Sequence, residues 1–107
     1  MRKATVALHK TKNNEHLDIF FETDSDNPKN LLTYEARTDE LNQLLAGEPV
    51  KIIRKANHRT KYLDYEGEIS GGRGEIKILW QGNYSEKIIF KNEFFIKIIL
   101  KYIESYI

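Results

Sequence analysis

Short stretches in which apolar side chains alternate with polar ones recur along most of the chain, each closed by turn-forming residues. In residues 4–9, Val6 and Leu8 alternate with Ala7 and His9; in residues 15–22, Leu17, Ile19 and Phe21 alternate with His16, Asp18 and Phe20. Asn13 and Asn14 lie between them and tolerate left-handed backbone angles, so the two stretches read as a hairpin. A loop over 24–30 leads to a strand at 31–36. Thr38 or Asp39 then caps a brief helix that runs through Leu45 and stops at Gly47 and Pro49. Further strands are expected at 50–56, 62–65, 75–80 and 84–91, with a glycine-rich bend at 70–74 and a turn at Gly82 and Asn83. Over 95–106, Phe95, Ile99, Tyr102 and Tyr106 fit a helical stripe, but the density of isoleucine and aromatic residues favours strand. About seven strands with one short helix predict a mainly β protein, a compact antiparallel β-barrel.

The 107 residues suffice for one hydrophobic core and not for a second folded unit, so a single domain over 1–107 is expected. No apolar run is long enough to span a bilayer, and the one near the N-terminus is shorter than a secretory signal, so a cytoplasmic protein without membrane contact is expected. Without cysteine, any metal must be held by imidazole and carboxylate. A net charge of +1 argues against nonspecific coating of nucleic acid through overall basicity. Charge is nevertheless concentrated: Lys51, Arg54, Lys55, Arg59 and Lys61 surround His58 with no acidic residue among them. Such a run is either a solvated strand and loop or a site that attracts and positions phosphate.

A hairpin turn centred between Asn13 and Asn14 pairs Leu8 with Ile19 and Val6 with Phe21 on one face. On the other face it sets His9 opposite Asp18 and Thr11 opposite His16. His9, His16 and Asp18 then lie within roughly 5 to 8 Å of one another at Cβ, close enough to converge on one ion. The same face read alone is equally the polar side of a half-buried hairpin, with solvated histidines and Asp18 paired to a lysine.

Three motifs, in order, resemble the 3′-phosphoesterase domain of bacterial DNA ligase D and its small stand-alone relatives. His16-Leu17-Asp18-Ile19-Phe20-Phe21-Glu22 is similar to the family's histidine-tyrosine-aspartate strand ending in glutamate, with His9 matching a histidine one strand earlier. His58-Arg59-Thr60-Lys61-Tyr62-Leu63-Asp64-Tyr65-Glu66-Gly67 carries a histidine, a tyrosine four residues on, and an aspartate-aromatic-glutamate-glycine at the family's spacing. Gly74, Trp80, Gly82 and Tyr84 resemble the hairpin that follows.

The resemblance implies a β-barrel that carries a divalent metal, manganese first and zinc second, and trims 3′-phosphates or 3′-ribonucleotides from DNA ends, with DNA-repair ligase components as associates. It makes His9, His16 and Asp18 metal ligands and His58 the catalytic, phosphate-contacting histidine. Arg54, Arg59, Lys61 and Tyr62 are the candidate phosphate- and nucleic-acid-binding residues. Imidazole with carboxylate suits either metal. The sequence departs from the pattern at Phe20, where active members carry a phosphate-binding arginine, at Lys10 in place of an aspartate, and in a His9-to-His16 spacing longer by one residue. Arg54 or Arg59 is a candidate replacement for that arginine. Two other readings stand beside the enzyme: a non-catalytic module that binds DNA ends or phosphate, and a two-histidine, one-carboxylate iron site.

Overall fold

The computed structural model describes residues 2–106. Seven strands form one antiparallel sheet: β1 (Arg2–Lys10), β2 (Glu15–Phe21), β3 (Leu31–Ala36), β4 (Val50–His58), β5 (Gly67–Glu68), β6 (Glu75–Lys91) and β7 (Ile96–Ser105). The ladder runs β1-β2-β3-β4-β7-β6, and β6 pairs back onto β1, so six strands close into a ring with β5 added to the edge of β6. Its thinnest seam is β4–β7, where only Val50 to Ile52 pair with Ile96 to Ile98. Among the described residues no helix is long and apolar enough to cross a membrane.

The alternation along the strands sorts the apolar residues into two clusters. Val6, Leu17, Ile19, Phe21, Tyr34, Val50, Ile52, Trp80, Ile98 and Leu100 come from all six ring strands and fill the interior. The short helix α1 (Leu41–Leu45) adds Leu44 to the same core. The opposite face of β1, β2, β3 and β6 contributes Ala7, Phe20, Leu31 and Ile76 to a second cluster outside the ring, roofed by Leu63. That external cluster is the floor on which the candidate site rests.

Both faces of β6 become apolar because the ladder with β1 slips at one point. Val6 pairs with Trp80 and Ala7 with Ile78, which leaves Leu79 unpaired as a bulge. Ile76 can therefore face outward while Trp80, at the same parity, faces the core.

Several local expectations are corrected. The β1–β2 hairpin pairs Leu8 with Leu17, His9 with His16 and Ala7 with Asp18, two residues away from the expected register. The chain reverses around Lys12 and Asn13, closed by Thr11 N–H donating to the Asn14 carbonyl at 2.8 Å. No described non-glycine residue has a positive φ, so neither asparagine uses the left-handed region. Residues 62–65 are not a strand: Thr60–Leu63 is a 3₁₀ turn that drops Leu63 into the external cluster. Its carbonyl is taken by Thr5 Oγ1 at 2.6 Å and Gln81 Nε2 at 2.8 Å, bonds that fix the turn on the sheet. Neither Thr38 nor Asp39 caps a helix through its side chain; Arg37 occupies the N-cap position of a 3₁₀ turn, Thr38–Glu40, that leads into α1.

The expected turn at Gly82 and Asn83 is instead the interior of the 17-residue strand β6. Gly82 is there for space: a Cβ would collide with the Glu104 carbonyl and the Trp80 ring. The C-terminal segment is the strand β7, as its isoleucine content predicts.

Candidate metal centre and adjoining basic cleft

A register error of two residues leaves every side chain on its original face, so the histidine cluster survives it. His9 and His16 are direct cross-strand neighbours, with ring centroids 4.8 Å apart in an edge-to-face arrangement. Asp18 follows His16 on the same face of β2. His16 Nε2 stands 3.0 Å from Asp18 Oδ1, and His9 Nδ1 stands 3.5 Å from Asp18 Oδ2. One donor atom from each of the three residues falls within 4.8 Å of the others. Metal–donor bonds of about 2.1 Å set neighbouring donors about 3.0 to 3.4 Å apart, so the His16–Asp18 separation, which is also that of a hydrogen bond, falls in the chelating range and the His9–Asp18 separation lies just outside it.

Two further observations bear on whether these residues fit a metal. Asp18 is buried, and among the described residues no lysine or arginine lies within ion-pair distance of it. Burial raises the Asp18 carboxyl above its ordinary value, while His16, His9 and His58 pull it back when they carry charge. A divalent cation would offset the burial of this charge. His9 is also pre-oriented. Its Nε2 lies 2.8 Å from the Arg73 carbonyl, which can only accept, so the ring proton sits on Nε2 and the Nδ1 lone pair faces Asp18. A bond of this kind is what holds a metal-binding imidazole in one tautomer.

Sequence reasoning missed Glu35. It pairs with Asp18 across β2–β3, and its Oε1 lies 3.6 Å from His16 Nε2 and 3.7 Å from Lys55 Nζ. A long loop separates β2 from β3, so no hairpin rule supplied that register.

His58 ends β4, and its Nδ1 donates to the Ala56 carbonyl at 2.9 Å, leaving Nε2 for a ligand. Its ring rests on Phe20, centroids 5.3 Å apart, and meets Tyr62 edge-on at 5.8 Å. Phe20 is wholly buried beneath it. His58 lines two neighbouring hollows. A recess of about 140 Å³ is lined by His9, Asp18, His58, Tyr62 and Arg73 with apolar walls at Ile69 and Ile76. A cleft of about 520 Å³ shares His58, Tyr62 and Arg73 with it and adds Lys29, Arg59 and Lys61.

Of the sequence-derived candidates, His9, His16 and Asp18 form the cluster, and His58, Arg59, Lys61 and Tyr62 line the adjoining cleft. Lys61 Nζ lies 5.1 Å from the Tyr62 ring centroid and 5.3 Å from that of Tyr65. Arg54 is elsewhere: its guanidinium stacks on Tyr34, 5.5 Å from the centroid, and donates to the Thr33 carbonyl at 3.0 Å. Arg73 was missed because the bend at 70–74 reads as a simple turn; the lone cation among its glycines was the available signal. No protein-family model matches the chain, and no curated protein matches it significantly.

Proposed function

We propose that the protein is a divalent-metal-dependent phosphoesterase-like domain that acts on DNA 3′ ends, removing a 3′-phosphate or 3′-ribonucleotide. One observation carries the reading: the recess that holds His9 and Asp18 shares His58, Tyr62, Ile69 and Arg73 with a cleft where Lys29, Arg59 and Lys61 outnumber the one carboxylate, Glu68. Cations along the cleft neutralise and position a strand's phosphates, so that its end is delivered to the cluster. His9, His16 and Asp18 would hold the ion, manganese first and zinc second. Bound there, a divalent ion polarises phosphoryl oxygens and supplies hydroxide at neutral pH.

The protein's own groups do the rest. Nε2 of His58 binds a phosphoryl oxygen or gives a proton to the leaving oxygen. Tyr62 holds the His58 ring edge-on, and Phe20 supports it from below. Asp18 stays beyond the reach of lysine and arginine, which keeps its oxygens for the ion.

A second reading, a DNA-end or phosphate-binding module without turnover, is favoured by Phe20. The resemblance puts an arginine there in active members, and here the side chain is a buried floor unable to touch phosphate. The discriminating experiment uses purified protein with manganese on a primer ending in 3′-phosphate, against His16→Ala and His58→Ala. Release that both variants abolish is expected; release no greater than theirs defeats the enzyme and leaves the binding module. DNA-repair ligase components are the proposed associates, testable by co-purification.

A further inference from the structure

We propose that Arg73 is the phosphate-binding residue of the recess, and that the ligand it selects is the phosphate monoester at a strand end. The inference deepens the proposed function and rests on it for the identity of the strand.

Arg73 is the only lysine or arginine among the residues lining the small recess, where it joins His9, Asp18 and His58. It also lines the larger cleft beside Arg59 and Lys61. Among the described residues no carboxylate lies within ion-pair distance of it. Its side chain is parked on Ser70, with Nε donating to the backbone carbonyl at 2.9 Å and an Nη2 contact to Oγ at 3.4 Å. Those neutral partners leave most of the guanidinium fork free. A planar fork matches two phosphoryl oxygens, and a charged donor on a charged acceptor makes the stronger kind of hydrogen bond.

The loop that carries it is tied to the cluster through its backbone, because the Arg73 carbonyl accepts the His9 Nε2–H. Gly74, at φ +97°, lies so close to the Lys10 carbonyl that no side chain fits, which seats this end of the loop against β1. Arg73 thus lines the recess from a fixed backbone anchor, with its guanidinium on a side chain free to swing from Ser70 to a ligand. The other arginine candidates are less suited: Arg54 is committed to Tyr34 and Thr33, and Arg59 lines the larger cleft without lining the recess.

Size suits that ligand. A recess of about 140 Å³ is large enough for a phosphate group, and the neighbouring cleft of about 520 Å³ for the nucleotides that carry it. In this arrangement the phosphate occupies the recess as the terminal group while the strand lies along the larger cleft.

The test is calorimetric titration of EDTA-treated protein with a short oligothymidylate ending in 3′-phosphate, and with the same strand ending in 3′-hydroxyl. Arg73→Ala should weaken the 3′-phosphate strand about tenfold or more and the 3′-hydroxyl strand, which meets Arg73 only along the larger cleft, by much less. Arg73→Lys should fall between, and Arg54→Ala should bind as the unaltered protein does. Manganese titration of each variant is the control for folding and for the cluster, since alanine keeps the carbonyl that His9 uses. Equal affinity of Arg73→Ala and the unaltered protein for the 3′-phosphate strand, or an equal loss for both strands, overturns the proposal even where manganese binds normally. Arg73-dependent phosphate binding in a protein that takes up no manganese upholds it, and removes the metal-dependent reading instead.

Discussion

Asp18→Asn should separate the metal-binding role of the cluster from its structural role, because the two make opposite demands on this side chain. Asparagine has almost the same shape and still offers an oxygen to His16 Nε2, which lies 3.0 Å from Asp18 Oδ1. It removes a charge that the fold buries. Because burial raises the carboxyl's folded-state value, the ionised form is penalised in the folded protein relative to the unfolded chain. The associated stability is fully present below the unfolded value, about 3.9, and is lost as the pH rises through the folded one. In EDTA at pH 8, Asp18→Asn should therefore melt at or above the temperature of the unaltered protein, with the difference closing as the medium is acidified towards the ordinary carboxylate range. With metal the order reverses. An ion at a hundred times its dissociation constant stabilises by about 2.7 kcal/mol. For a domain near this size that raises the melting temperature by roughly 10 to 20 °C. The variant, left with two imidazoles and a neutral amide, should gain little of that rise. Circular dichroism melts with and without manganese give all four values. A metal-free variant that melts well below the unaltered protein would refute the claim that the carboxylate is held there at a cost, and an equal manganese shift in both proteins would remove Asp18 from the ligand set.

Two further substitutions test the scaffold beneath the site. Phe20→Ala empties the external cluster among Ala7, Leu31, Leu63 and Ile76 and takes away the floor under His58, so chemical denaturation should show a loss of roughly 3 to 5 kcal/mol; a loss under about 1 kcal/mol would mean that this cluster is not packed as described. Gly82→Ala sets a methyl group against the Glu104 carbonyl and the Trp80 ring, and should destabilise by roughly 1 to 3 kcal/mol with a change in tryptophan fluorescence. Unchanged fluorescence and stability would restore the reading of Gly82 as a flexible turn.

What the sequence revealed and what it hid divide along physical lines. Alternation in β1 and β2 correctly assigned His9, His16 and Asp18 to one face and Val6, Leu17 and Ile19 to the other, because a strand's faces depend only on parity. Register was a finer question, and there the asparagines misled: the reversal at Lys12 and Asn13 needs no left-handed residue, while Asn14 serves through its carbonyl and side-chain oxygens as an acceptor. Residues 62–65 look like a strand by composition, but their geometry is decided by Thr5 and Gln81, which capture the Leu63 carbonyl across the fold. Gly82 was read as punctuation, although its role is set by a carbonyl on β7 that no local pattern reveals. Local rules fixed which face a side chain takes, but not the register of even the first hairpin, and they failed where the partner came from a distant element.

The same distinction explains how the site is built. The hairpin places the three candidate ligands through near-neighbour pairing, whereas the phosphate side depends on the excursion between β4 and β6 folding back over the sheet. That excursion is held by Leu63 in the external cluster, by its carbonyl on Thr5 and Gln81, and by the Arg73 carbonyl on His9. Phe20 belongs to this arrangement. A charged side chain in its position would have to leave the apolar floor on which Leu63 sits, so the roof could not close as it does. With phenylalanine below, the arginine that lines the recess is Arg73, on the loop whose backbone carbonyl also accepts from His9. Ligand orientation and phosphate charge thus come from one residue, the first from its backbone and the second from its side chain, and substitutions that spare the carbonyl can separate them.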